Sequence, residues 1–225
     1  MLFLTILIVF ITAYTGHVSA QNNRSDLRGS ISLVPVVTSH AKLDNTDSLR
    51  GLSEAVSKWT QIDSHLSQRI TLDSQRLKNY PFIYINTDRG FDLLESEKKN
   101  FVDYLTSGGF ALVEFDVRSY QALKNFLPQN ARLRPIDDSH PIYSSCFNLD
   151  NSIWMGGVHK NLGKMSAQSI IGSQLTGIWI GEKLVGIYSD KNLGNEWGEY
   201  WRNKEEDNSF LRFGVNVVAY VLANS

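Results

Sequence analysis

The chain has a single cysteine, and its charges of opposite sign nearly cancel. Cys146 is the only cysteine among 225 residues, so an internal disulfide is excluded. With 22 Lys and Arg against 23 Asp and Glu, the sequence offers no broad attraction for nucleic acid or for an anionic membrane surface. Stability must therefore come from packing, and the aromatic content of 11% is typical of a well-filled core.

Several sequence motifs that are typical of enzymes are also missing. The sequence contains neither a G-x-S-x-G nucleophile elbow nor a G-x-G-x-x-G dinucleotide fingerprint. Residues 157–165 (GVHKNLGKM) are superficially similar to a phosphate loop, but five residues separate the glycines where four are required. Met165 also occupies the position of the magnesium-binding Ser or Thr. Acyl transfer and nucleotide hydrolysis are both disfavoured.

The first twenty residues have the pattern of an export signal. They contain no Asp, Glu, Lys or Arg, residues 2–11 (LFLTILIVFI) are almost entirely apolar, and Val18, Ser19 and Ala20 suit a signal peptidase. The apolar run is short of the roughly 20 residues that cross a bilayer. We expect a cleaved signal peptide over residues 1–20, a loose leader over 21–30 and one domain over 31–225, working in the periplasm or outside the cell. An uncleaved anchor, which would attach the protein to the membrane, and a buried first helix are the alternatives.

The remainder alternates between strand-like and helix-like segments. Asn45, Thr46 or Asp47 is suited to cap the first helix. Strand, helix, strand in this order favours a mostly parallel sheet covered by helices on both faces. The predicted strands are 31–37, 69–72, 80–86 and 110–115, the predicted helices are 44–59, 94–106, 120–126 and 210–222, and a β-hairpin is predicted over 177–188.

Four segments in fixed order resemble the family called domain of unknown function 4159. They are residues 80–84 (YPFIY), 104–110 (YLTSGGF), 139–143 (SHPIY) and 188–197 (YSDKNLGNEW). The resemblance implies a three-layer α/β sandwich of the flavodoxin-like or class I glutamine amidotransferase-like type, with any site at the carboxyl ends of the strands. It implies no activity, and family members are often exported or membrane-attached in bacteria.

The sequence departs from the family pattern at two turns. Residues 87–90 (TDRG) stand where the family tends to have a Gly-His-Gly-like turn, and Phe115 separates Glu114 from Asp116 where the family favours adjacent aspartates. A family site that depends on that histidine or on paired aspartates would be lost in this chain.

Polar residues nevertheless follow several predicted strands, and in a doubly wound sheet they would share one edge. Such an edge would bind a small polar ligand or a divalent cation. In the structural alternative these side chains form turns, cap the next helix or hold a loop. The candidates are Asn86, Asp88, Arg89, Glu114, Asp116 and Asp190.

His140 precedes Pro141 and is therefore expected to be extended, either orienting its loop or contacting a ligand. No histidine downstream of the leader has another His or Cys at metal-ligand spacing, so we predict neither a metal nor another cofactor. Cys146 lacks a glycine-flanked elbow, which favours a packing role over that of a nucleophile.

An aromatic cluster of Trp197, Tyr200 and Trp201 is compatible with either the edge of the core or a partner surface. Our first hypothesis is an exported, non-catalytic amidotransferase-like domain that binds a partner protein or a small polar ligand in the bacterial envelope. The second is a hydrolase in which Glu114, Asp116, Asp190 and His140 converge, with or without a metal. The third, a sugar-binding module, depends on exposure of Trp201.

Overall fold

The computed structural model describes residues 28–40, 45–86, 92–114, 119–150, 153, 175–203 and 208–225. The predicted signal peptide (1–20), residues 21–27 of the predicted leader and the segment that resembles a phosphate loop lie outside these residues. Within them the strands are β1 (Arg28–Val37), β2 (Gln61–Leu66), β3 (Ile70–Thr71), β4 (Phe82–Asn86), β5 (Phe110–Glu114), β6 (Ala131–Pro135), β7 (Thr176–Ile180) and β8 (Lys183–Ser189). The α-helices are α1 (Thr46–Trp59), α2 (Glu95–Thr106), α3 (Ser119–Phe126), α4 (Leu193–Asn203) and α5 (Ser209–Ala223).

One mixed sheet contains these strands in the order β2-β1-β4-β5-β8-β7-β6, with β3 beside the end of β1. The neighbouring pairs β2–β1, β1–β4, β4–β5 and β5–β8 are parallel. Strand β7 is antiparallel to both of its neighbours, β8 and β6. The predicted α/β architecture with a mostly parallel sheet is therefore confirmed. The short strands β2 and β6 and the helix α4 were not predicted, and β1 begins at Arg28, inside the segment expected to be leader.

Helices cover both faces because the central strands are apolar on both sides. In β4, Phe82 and Tyr84 face a cluster that also contains side chains of α1, α4 and α5. Ile83 and Ile85 face a second cluster that contains side chains of α2 and α3. A strand buried on both faces needs a continuous apolar run, and the sequence FIYIN of β4 provides it.

The layer of α1, α4 and α5 is packed around Trp197, which is fully buried. A Cβ atom added to Gly51 of α1 would lie 1.9 Å from the Trp197 carbonyl oxygen. A Cβ atom on Gly214 of α5 would lie 2.9 Å from the indole ring. Because Gly51 and Gly214 have no side chain, α4 can approach both α1 and α5 closely.

A buried asparagine fixes the segment before residue 150 to this layer. The side-chain oxygen of Asn216 accepts hydrogen bonds from the backbone N–H groups of Cys146 and Phe147, at 2.9 and 2.7 Å. Its amide nitrogen donates to the Phe147 carbonyl oxygen at 2.8 Å. The Asn216 side chain thus replaces the backbone partners that the loop would otherwise lack.

Of the helices in the described ranges, none has the length and apolar character needed to cross a membrane.

Candidate functional site

Three of the predicted candidates lie together at the carboxyl edge of the sheet. Asn86 and Glu114 end β4 and β5 and pair with each other in the sheet register. Glu114 in turn pairs with Ser189, the last residue of β8, and Asp190 follows directly. Asp88, Arg89 and Asp116 lie outside the described residues.

Glu114 is buried and accepts four hydrogen bonds from described residues at this edge, none of them from a charged group. Its carboxylate accepts from the Tyr84 hydroxyl at 2.7 Å and from the Ser189 hydroxyl at 3.4 Å. The backbone N–H groups of Leu193 and Gly194 also donate to it, the latter at 2.9 Å. Each oxygen of the carboxylate therefore has two donors, one from a side chain and one from the start of α4.

The start of α4 is shaped to present these two N–H groups. Asn192, the residue before the helix, has a positive φ of 59°, a conformation that asparagine tolerates better than most residues. The first N–H groups of a helix lack partners within the helix, and its N-terminus favours negative charge. Glu114 supplies both the acceptors and the charge.

Gly194 makes this contact possible. A Cβ atom at this position would lie 1.8 Å from the Tyr84 hydroxyl oxygen, which also donates to Glu114. A larger residue would therefore push the tyrosine and the helix apart.

The protonation of this cluster is governed by its burial. Desolvation raises the pKa of Glu114, and the hydrogen bonds from Gly194, Tyr84, Leu193 and Ser189 offset part of the rise. Desolvation also raises the pKa of Tyr84 well above its usual value, and the neighbouring carboxylate raises it further. Tyr84 consequently remains a hydrogen-bond donor.

Two asparagines extend the cluster toward β1. The side-chain amide of Asn86 donates to the Tyr84 hydroxyl at 3.0 Å. The side-chain amide of Asn45, immediately before α1, donates to the Asn86 carbonyl oxygen at 3.4 Å. Of the described residues, these uncharged groups line the part of the edge between β1 and β4.

A second buried carboxylate ties the chain after β1 to the other helix layer. One oxygen of Glu97 accepts from the backbone N–H and the hydroxyl of Ser39, at 2.6 and 3.0 Å. The other accepts from the Leu94 N–H at 2.9 Å, at the start of α2. The sequence showed glutamates at this helix start but not the link to Ser39.

Asp190 is the third carboxylate of this edge, after Glu114 and Glu97, and it has a basic neighbour in Lys191. The Lys191 ammonium lies 2.9 Å from an Asp190 carboxylate oxygen, and both side chains are largely buried. Lys191 also donates its backbone N–H to the Ser189 hydroxyl at 3.1 Å.

His140 lies away from this edge. Its ring is 5.2 Å from that of Tyr220, which in turn contacts Phe110, the first residue of β5. Glu114 is the last residue of that strand, four positions on, which corresponds to about 13 Å along a strand. A hydrolase site in which His140 and Glu114 converge is therefore not formed.

Within its own loop His140 is extended, as expected of a residue before proline. Its Nδ1 atom accepts a hydrogen bond from the Ile142 N–H at 3.2 Å. The other neighbour of the ring is Trp179, at 5.6 Å. These contacts orient the loop.

A family model described as Domain of unknown function (DUF4159) matches residues 32–222. The chain belongs to this family, as the resemblance predicted. No curated protein matches the chain. The family description gives no activity, so the function has to be argued from the site.

The aromatic cluster of this DUF4159 domain belongs mostly to the core. Trp197 is fully buried and Tyr200 is 4% exposed, so the partner-surface interpretation is wrong for both. These residues fall on the packing face of α4, a helix that the sequence did not predict. Trp201 is half-buried, with the Arg50 guanidinium 5.7 Å from its ring centre.

Cys146 is half-buried and packs against the hydrophobic core, as predicted. Within the described ranges of the domain, no group of three His, Cys, Asp or Glu side chains is arranged to hold a metal ion.

Sequence reasoning missed Tyr84, Ser189 and Lys191 as members of the cluster. Tyr84 was interpreted only as a strand residue. Ser189 and Lys191 were noted only as part of the family-like segment 188–197. The signal for Tyr84 was its period of two with Asn86, which places both side chains on one face. Its 30-residue separation from Glu114 left no local signal for their contact.

Proposed function

We propose that this chain is an exported, non-catalytic binding domain that takes a small polar ligand at the carboxyl edge of its sheet, in the bacterial cell envelope. The observation that supports a non-catalytic role is the hydrogen bonding of Glu114. A general base or nucleophile needs a free lone pair directed at the substrate. Both oxygens of Glu114 are instead used by Tyr84, Ser189 and the start of α4.

The strand order supports a flavodoxin-like or class I glutamine amidotransferase-like fold. Counted along the chain, the five long parallel strands β1, β2, β4, β5 and β8 are arranged 2-1-3-4-5 across the sheet, which is the flavodoxin order. In this arrangement the chain leaves β1 and β4 in opposite directions, and ligands bind in the crevice at their carboxyl ends. Asn45 and Asn86 lie there.

A small ligand is favoured over a partner protein because the predicted partner surface is largely buried. Trp197 and Tyr200 belong to the core, which leaves Trp201 alone. Export is supported by the apolar segment of residues 1–20, which is predicted to be a signal peptide. A location in the envelope is supported by the family resemblance, since family members are often exported or membrane-attached in bacteria.

Thermal unfolding in the presence of a panel of small polar compounds tests the binding function. We expect at least one compound to raise the Tm of the wild-type chain, because a ligand that binds only the folded state stabilises it. Asn86→Leu should abolish that rise. Asn125→Leu is the matched control, since Asn125 is on the exposed surface of α3, where it pairs with Gln121.

Hydrolysis assays with ester, amide and phosphate substrates test the competing enzyme function. We expect no turnover by the wild-type chain. Turnover that is lost in Asn86→Leu and kept in Asn125→Leu would contradict the proposal and place a hydrolase site at the same edge.

A further inference from the structure

The carboxyl edge of the sheet between β1 and β4 contains a buried oxygen atom with no partner in the described part of the chain. Asn45 is 4% exposed, and its amide nitrogen makes one long hydrogen bond, 3.4 Å, to the Asn86 carbonyl oxygen. The orientation of the amide follows from that contact, because an oxygen facing the carbonyl would be repelled. The side-chain oxygen of Asn45 does not cap α1 and accepts no hydrogen bond from the described residues.

Two neighbouring groups, the half-buried Asn86 and the buried Thr38, also have a side-chain oxygen that lacks a partner among the described residues. The Asn86 side chain donates to Tyr84, but its oxygen accepts no hydrogen bond from any described residue. Thr38 directly follows β1 and is 5% exposed, and its hydroxyl has no hydrogen-bond partner among the described residues. The pairs Val34–Ile83 and Pro35–Tyr84, continued by two residues, set the end of β1 beside Asn86.

Such a concentration is unusual, because buried polar groups in folded proteins nearly always have partners. Asn216, by contrast, uses both ends of its buried side-chain amide: the oxygen accepts from the N–H groups of Cys146 and Phe147, and the nitrogen donates to the Phe147 carbonyl oxygen. Asn45, Asn86 and Thr38 instead bring three oxygens without described partners to one edge of the sheet.

The charges of the described residues at this edge disfavour an anionic ligand. Phosphates in this kind of fold bind at helix N-termini, but the carboxylate of Glu114 already occupies the start of α4. The described edge has the carboxyl groups of Glu97, Glu114 and Asp190 against the single ammonium of Lys191, which pairs with Asp190.

We infer that the crevice binds an uncharged ligand that donates O–H or N–H hydrogen bonds to the side-chain oxygens of Asn45 and Asn86. This inference rests on the proposed binding function and specifies its ligand class. The Thr38 hydroxyl adds a group that both donates and accepts. Sugar hydroxyls and primary amides have the required chemistry, whereas phosphates and carboxylates present acceptors to acceptors.

The first test needs no ligand. A residue that holds an unpaired buried oxygen for a ligand contributes little to the stability of the free protein, so Asn45→Ala should leave the Tm unchanged or raise it. Asn216→Ala is the matched control and should lower the Tm, because it removes three satisfied hydrogen bonds. An equal fall in both variants would overturn the inference.

The second test compares matched neutral and charged probes. The side-chain amide NMR signals of Asn45 and Asn86 are followed during titration with glucose, glucose 6-phosphate, acetamide and acetate. We expect the neutral probes to shift these signals and the charged probes to leave them unmoved. A response to glucose alone identifies hydroxyl donors, and a response to acetamide alone identifies amide donors.

Two contrary results separate the inference from the proposed function. Shifts caused only by glucose 6-phosphate or acetate would overturn the ligand class and leave a binding site at the edge. Signals unmoved by all four probes would overturn the ligand class, and the binding function falls as well if no panel compound raises the Tm of the wild-type chain.

Discussion

Glu114 is the residue on which the carboxyl edge depends. Its carboxylate joins β4, β8 and α4 through hydrogen bonds to residues 30 to 80 positions away in the chain. These contacts stabilise the edge and occupy both carboxylate oxygens, which is the basis of the proposal that the group does not act on a ligand.

We predict that Glu114→Gln lowers the free energy of unfolding by about 1–3 kcal/mol, because the amide nitrogen leaves one helix N–H without an acceptor. Urea denaturation measures the change. Glu182→Gln is the control, since Glu182 forms an exposed ion pair with Arg134 and such pairs are worth about 0–1 kcal/mol. Equal effects of the two substitutions would show that Glu114 is not a structural centre.

His140 gives a prediction of pH dependence. Burial lowers its pKa in the folded chain, whereas the unfolded chain titrates near the ordinary value of about 6.5. Below that pH the unfolded state binds more protons, so stability falls as the pH drops from about 6.5 to the folded pKa. Protonation of Nδ1 would also remove the acceptor for the Ile142 N–H.

The measurement is the Tm between pH 7.5 and 5 for the wild-type chain and for His140→Gln. We expect the difference between the two chains to favour the wild type at the upper end and to shrink toward the lower end. The raised pKa of Glu114 acts with the opposite sign, since its stabilising contribution is lost as pH rises, but it is common to both chains. A difference independent of pH would refute the role given to His140.

At the scale of elements, α4 shows how a tertiary contact overrides local propensity. Its eleven residues include Gly194 and Gly198, and glycine disfavours a helix interior by roughly 0.5–1 kcal/mol relative to alanine. Local preference therefore argued against a helix here. The contact with Tyr84 is what requires a glycine at position 194.

The two glycines form a matched pair for mutagenesis. Gly194→Ala should destabilise the chain by about 1–3 kcal/mol despite its better helix propensity, because the new Cβ collides with the buried Tyr84 hydroxyl. Gly198→Ala meets only the end of the Arg202 side chain and should be neutral or stabilising. Chemical denaturation of both variants checks the prediction, and a stabilising Gly194→Ala would contradict the packing at the start of α4.

The loop held by Asn216 offers a second test at this scale. In Asn216→Ala the backbone of Cys146 and Phe147 loses its side-chain partner. We expect the half-buried Cys146 thiol to react several-fold faster with an alkylating reagent, because local opening becomes easier. Asn125→Ala, on the surface of α3, should leave the rate unchanged, and an unchanged rate in Asn216→Ala would show that the loop is held by other contacts.

At the scale of the whole molecule, the signal peptide predicted over residues 1–20 indicates where the protein works. Produced in a bacterium with residues 1–20 intact, the chain should be recovered outside the cytoplasm with its new N-terminus close to Gln21. Cell fractionation and mass spectrometry of the N-terminus check this. Recovery of the full-length chain from the membrane would support the uncleaved anchor, and recovery from the cytoplasm would contradict export.

The sequence by itself determined the central strands, the helices that follow them and the family. The sequence FIYIN of β4 and the periodic α2 carry their structure in local patterns of apolar residues, so they were predictable. The candidate edge was predictable in part, because Asn86, Glu114 and Asp190 each follow an apolar strand.

Only the tertiary structure decided what those residues do. The partners of Glu114 are far away in sequence, and no local pattern encodes that its charge meets a helix N-terminus instead of a ligand. The same holds for the burial of Trp197, which depends on the close approach of glycines on α1 and α5. The periodic spacing of apolar residues is a property of residues that are close in sequence. Whether a buried carboxylate has all its hydrogen-bond donors depends instead on how distant segments pack.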